Sequence, residues 1–200
     1  MRKKILKTYG IVFLLVLLCS QEGFTSEKKI KMKEIGFFTG RGCARLEEKD
    51  DYEVFPVGLR LGFNTESLFQ NIEMEGGLRR LMSEDLELVV EPYIAGINSP
   101  ESNFECGTGL LIRLLHRFNR LAPFIEIGTG VQYTTQHTRE EGTQLCFQLQ
   151  GGGGIYYFFK KDKAISFTYR FRHFSNAGTK NPNTGIDVHC FLIGLSYFFN

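Results

Sequence analysis

The chain has 200 residues and a formal net charge of +2. That length suits one domain, and so nearly balanced a charge gives no reason to expect a nucleic-acid partner. Its five cysteines and four histidines form no CxxC or HxxxH pattern, which argues against a zinc site.

Residues 1–26, MRKKILKTYGIVFLLVLLCSQEGFTS, place Arg2, Lys3, Lys4 and Lys7 ahead of an apolar run from Ile11 to Leu18, then small and polar residues. This is the layout of a secretory signal peptide, and the run is far short of the roughly 20 residues a spanning helix needs. Leu18 stands where a lipoprotein signal has a small residue, so Cys19 is not read as a lipid anchor. Cleavage between Gly23 and Ser26 removes four bases and one acid and leaves the mature chain at net −1. Residues 27–33 then form a short periplasmic segment before a single domain, 34–200.

The mature sequence alternates with period two, segment after segment, with turn-forming residues between. The runs are 34–42, 53–63, 86–96, 104–115, 122–134, 145–159, 164–176 and 186–199, which predicts an all-β domain of eight strands. One face of each run is apolar. In 53–63 it carries Phe55, Val57, Leu59, Leu61 and Phe63 against Gly58, Arg60 and Gly62. In 122–134 it carries Ile125, Ile127 and Val131 against Glu126 and Gln132; in 164–172 Ile165, Phe167, Tyr169 and Phe171 oppose Ser166, Thr168, Arg170 and Arg172.

A soluble barrel turns such an apolar face inward, whereas a membrane barrel presents it to lipid and pairs the polar face inside. Export, strands long enough for the roughly 9–11 residues of a bilayer crossing, and an aromatic last strand favour the membrane version. That strand, HCFLIGLSYFFN, sets Phe191, Ile193, Leu195, Tyr197 and Phe199 on one face and resembles the closing strand of bacterial outer-membrane barrels, apart from the extra Asn200. The predicted fold is an eight-stranded antiparallel outer-membrane β-barrel. Residues 64–85 fit this scheme least well. Gly151–Gly154 lie inside a strand with no GK[ST] following, so they ease curvature or make room for lipid or neighbouring side chains rather than cradle phosphate.

With both termini periplasmic, the seventh and eighth strands meet at the cell surface. There the sequence YRFRHFSNAGTKNPNTGID continues the odd-numbered, lipid-facing set through His173 and Ser175, and the next strand brings Asp187 and His189 to the same face. His173 can take a proton from Ser175, and Asp187 can hold the far imidazole nitrogen, which is the logic of a serine hydrolase triad. Asn183, or backbone N–H groups from Asn176 to Gly178, can bind an oxyanion. Lys180 and His189 are candidates for contact with substrate. In this topology Cys43–Cys190 is the more natural disulfide and Cys106–Cys146 the less natural one.

HFSNAG followed by NPNTGID resembles the signature of the lipid A 3-O-deacylases, the PagL family, most densely over 164–199. EPYIAGI and APFIEIGTGVQY are compatible with it, and 27–85 adds little. The resemblance implies an outer-membrane barrel whose Ser-His-acid site faces the membrane and acts on lipid A of lipopolysaccharide, with neither metal nor cofactor. It puts the nucleophile at Ser175, the base at His173 and the oxyanion asparagine at Asn183, with Asn176 second. The family's acid is glutamate; here the position holds Asp187, one methylene shorter. A homodimer stays open, and the rival readings are a non-catalytic structural or adhesion barrel and a soluble lipocalin-like carrier.

Overall fold

The computed structural model describes residues 31–47, 51–65 and 85–199, so the signal peptide and most of 64–85 lie outside the described residues. Eight antiparallel strands follow one another around a closed barrel: β1 (Met32–Arg45), β2 (Asp51–Asn64), β3 (Leu86–Ser99), β4 (Asn103–Leu115), β5 (Leu121–Thr134), β6 (Leu145–Phe158), β7 (Lys163–Ser175) and β8 (Ile186–Phe198). Pairing of β1 with β8 closes the ring, so no strand edge is left to be satisfied by a water-free surrounding. These are the eight strands that alternation predicts. Some run further than expected: β1 continues past Gly42 because Ala44 and Arg45 still pair with Tyr52 and Asp51.

The side chains are distributed as lipid solvation demands. Phe37, Leu59, Ile94, Ile127, Leu149, Phe167 and Ile193 stand exposed around the outside, while Arg60, Arg113, Arg170 and Arg172 are buried inside with Glu34, Glu91, Glu105 and Glu126. A buried charge is tolerable only when paired and hydrogen-bonded. Accordingly Arg60 Nε meets Glu91 at 2.6 Å, Arg113 meets Glu34 at 2.8 Å and Arg172 meets Glu105 at 2.7 Å. Arg170 reaches both Glu91 and Glu126. The Tyr156 hydroxyl binds this belt together, donating to Glu34 at 2.7 Å and accepting from Arg60 and Arg113.

Apolar clusters cover the belt at both ends. Tyr52, Val54, Ile97, Phe174, Ile186 and Val188 pack at one end, and Leu115, Phe124, Phe158 and Phe198 at the other. The connections 135–144 and 176–185 share the first end, whereas 116–120 and 159–162 lie at the second. The start of β1 at Met32 and the end of β8 at Phe198 also lie at the second end, so periplasmic termini put the β7–β8 connection outside.

The disulfide expectation is not met: Cys43, Cys106, Cys146 and Cys190 are all free thiols. Cys43 pairs with His189 while Gly42 pairs with Cys190, so the two cysteines sit one residue out of register and point to opposite sides of the wall. Cys106 and Cys146 are likewise divided, the first on the lipid side of β4, the second buried in β6 with β5 between them.

Candidate active site

Alternation anchors the site. Phe174 of β7 and Ile186 and Val188 of β8 are buried in the cluster beneath it, which forces His173, Ser175 and Asp187 onto the outward face. The β7–β8 register sets His173 directly opposite Asp187. Opposed residues of an antiparallel pair have Cβ atoms about 4.5–5.5 Å apart, so even the short aspartate spans the gap. Its Oδ1 lies 2.7 Å from His173 Nδ1. An ionised Asp187 holds the proton on Nδ1 and leaves Nε2 as a base. Ser175 follows on the same face, opposite Phe147 of β6. Among the described residues no hydrogen bond joins Ser175 Oγ to His173, the loose state common in sites without substrate.

The 176–185 connection is organised by Asn176, which is fully buried. Its Nδ2 donates to the carbonyls of Lys180 (2.9 Å) and Pro182 (3.0 Å), and its Oδ1 accepts from Gly178 N–H at 3.0 Å. Its own N–H donates to Asn183 Oδ1 at 2.8 Å and to Glu141 Oε2 at 2.9 Å. The donors of Asn176 and Gly178 are therefore engaged inside the loop. Asn183 differs: the bond to its Oδ1 turns its amide so that the NH2 group points away, without a partner among the described residues.

Two residues that sequence reasoning passed over complete the arrangement. Gly185 has φ of +82°, and a Cβ there would come within 2.9 Å of His173 Nε2 and closer still to Cε1. Only glycine leaves the imidazole its place. Glu141, in the 135–144 connection, puts its carboxylate under Asn176. Burial raises its pKa above the usual carboxyl range, opposed by the N–H groups of Asn176 and Gly185, the Cys146 thiol and His173. The NTG sequence marks Gly185 as a turn residue only, and no local pattern marks Glu141.

Of the other candidates, Lys180 stands exposed in the connection. His189 lies one pleat repeat below Asp187, with Nδ1 2.7 Å from the Tyr169 hydroxyl and its ring against Tyr169 and Phe171. His116 pairs with Asp85 at 2.9 Å at the periplasmic end, and His137 lies 3.4 Å from Gln144 within the 135–144 connection. No group of three His, Cys, Asp or Glu suited to a metal occurs among the described residues. Below His173, the outward positions of β6 are Gly151 and Gly153, flanked by Ile127 and Ile125 of β5 and by Phe171 and Tyr169 of β7. The missing side chains leave a furrow two strand spacings across, about 10 Å between backbones, that begins beyond Leu149, the outward residue of β6 beside His173.

A family model described as Lipid A 3-O-deacylase (PagL) matches residues 57–196. The chain belongs to the PagL family. The match takes in His173, Ser175, Asn183 and Asp187. No curated protein matches the sequence. Among solved structures, the outer membrane enzyme PagL is similar with a TM-score of 0.57 and 17% identity, covering 80% of this chain and 97% of that one. Neisserial surface protein A reaches a TM-score of 0.60 at 11% identity, covering 83% and 96%. At such identities these likenesses speak for the fold, that of small outer-membrane barrels. Family and fold together make this member of the PagL family an outer-membrane β-barrel.

Proposed function

We propose that this chain hydrolyses the 3-O-linked acyl ester of lipid A in the outer leaflet and releases a 3-hydroxy fatty acid, with Ser175 as nucleophile. The observation that carries the reading is the 2.7 Å bond between His173 Nδ1 and Asp187 on a lipid-facing surface that also holds Ser175. A hydrolase site open to lipid serves a substrate that itself lies in the membrane.

Ser175 Oγ attacks the ester carbonyl while His173 Nε2 takes its proton, and Asp187 stabilises the imidazolium formed. The Asn183 NH2 group donates to the oxyanion. As the tetrahedral intermediate collapses, His173 returns the proton to the departing 3-oxygen of the glucosamine, leaving an acyl-enzyme that water then cleaves by the same route. The released chain lies along the Gly151–Gly153 furrow. His189 and Lys180 contact the substrate, Lys180 through a phosphate of the headgroup.

The test is mass spectrometry of lipid A incubated with purified, detergent-folded protein beside Ser175→Ala. Loss of one 3-hydroxyacyl group with the wild type alone supports the reaction and the nucleophile together. No loss from a folded wild type on a lipid with its 3-O-acyl chain in place leaves a non-catalytic barrel as the reading.

A further inference from the structure

We infer that Glu141 is a positioning residue of the proposed site: from the 135–144 connection it holds the chain segments bearing Ser175 and Asn183 in the relation that ester attack requires. The inference rests on the deacylase reading. Ser175 and Asn183 lie eight positions apart on a connection that reverses direction between β7 and β8, and something must fix one against the other. Glu141 touches the residue that follows the first and the backbone of the second. Its Oε2 accepts the N–H of Asn176, the peptide immediately after the nucleophile, at 2.9 Å, and its backbone forms an isolated antiparallel bridge with Asn183. Flanking bonds extend the seam: Gly142 N–H donates to Pro182 O at 2.7 Å and Thr184 N–H to Glu140 O at 3.0 Å.

The shared Asn176 N–H gives the carboxylate its leverage. That N–H also donates to Asn183 Oδ1, the bond that sets the Asn183 amide with its NH2 group away from that N–H. Without Glu141 the amide of Asn183 becomes the only acceptor of that N–H, and the peptide after Ser175 is free to rotate toward it. The Cys146 thiol, 3.7 Å from the same Oε2, ties the carboxylate to the top of β6. Glu140, next in the chain, points elsewhere and accepts Glu47 N–H at 2.6 Å, fastening the connection to the β1–β2 side of the barrel mouth. The 135–144 connection is thereby anchored at one residue and applied to the site by the next.

The experiment compares full-length, detergent-folded wild type, Glu141→Ala and Glu141→Gln in mixed micelles of lipid A, following fatty-acid release and the rate at which a fluorophosphonate labels Ser175. A misplacement near 1 Å costs about 100-fold, so Glu141→Ala is expected to lower kcat by about 10- to 100-fold with KM within about twofold, and to slow labelling in parallel. Glu141→Gln keeps an oxygen that accepts the Asn176 N–H and is expected to recover most of the loss. Wild-type kcat in Glu141→Ala, a change confined to KM, or equal losses in the alanine and glutamine variants would overturn the inference. If Glu141→Ala shows no heat-modifiable migration and so has not folded, Glu141→Asp carries the test, since it withdraws the carboxylate by one methylene; wild-type kcat there overturns the inference too. A folded wild type that releases no fatty acid overturns the deacylase reading and this inference with it, whereas an active wild type beside an unaffected alanine variant overturns the inference alone.

Discussion

Arg172 and His173 are neighbours in sequence and belong to two different electrostatic systems. Arg172 faces inward, buried, bonded to Glu105 and to the Tyr93 hydroxyl at 3.0 Å. His173 faces outward with its side chain 37% exposed and holds one partner, Asp187, itself 62% exposed. Inside, several arginines and glutamates share one buried volume, so each charge needs the others. Outside, the His173–Asp187 pair stands apart from that network on the lipid-facing wall. One step of the β-pleat separates the set that holds the barrel together from the set proposed to do chemistry.

That separation can be broken from either side. Ser175→Ala is expected to lower deacylation by about 1,000-fold or more while leaving thermal unfolding unchanged, the loss typical of removing a triad nucleophile. Arg170→Met does the opposite: Glu91 loses one of its two arginines and Glu126 its closest, an uncompensated buried charge costing about 3–5 kcal/mol. Urea unfolding in vesicles reads that cost, and the fraction still folded should keep its activity. If activity and stability fell together in both variants, the two systems would not be separate.

Gly185→Ala probes the boundary between them. It strains a left-handed backbone position by about 1–2 kcal/mol and presses a methyl against His173, so deacylation should fall about 100-fold, a misplacement effect. Gly151→Leu is gentler. A Cβ at Gly151 meets nothing nearer than 3.6 Å, so the backbone accepts a side chain there, and a leucine is expected to occupy the furrow. Turnover of long-chain substrates should drop about tenfold, the scale of one apolar contact in a specificity pocket, while short-chain esters keep their rate.

The smallest effect concerns stability and pH. Burial raises the Glu141 pKa, so the folded state holds that proton more tightly than the unfolded chain does. Stability is then greatest below the unfolded carboxyl pKa and declines as pH rises through the folded one. Glu141→Gln removes the buried charge, so it should melt slightly above wild type at pH 7 and converge with it below about pH 4, the ordinary carboxyl range. A constant offset at all pH values would refute this assignment.

The strands were legible because lipid outside and paired charges inside impose opposite chemistry on alternate residues. Ile165 to Phe171 against Ser166 to Arg172 is enough to orient β7, and counting on by twos reaches His173 and Ser175. Asp187 followed from the hairpin geometry. The loop did not follow, because the use of each amide there depends on contacts between distant segments. Asn176 and Gly178 look as suited to an oxyanion as Asn183 until their donors are found bonded to Lys180, Pro182, Glu141 and each other. Cys43 and Cys190 misled for a related reason: neighbouring strands bring residues close, but a register offset of one residue sends their side chains apart.

The outward face of β7 and β8 also decides what concentration means for this protein. On the proposed reading, a site turned to lipid meets its substrate by sideways diffusion within a film rather than by collision from bulk water. Its rate should therefore follow the mole fraction of substrate in the surrounding bilayer or micelle, and adding inert detergent at constant total lipid A should slow it.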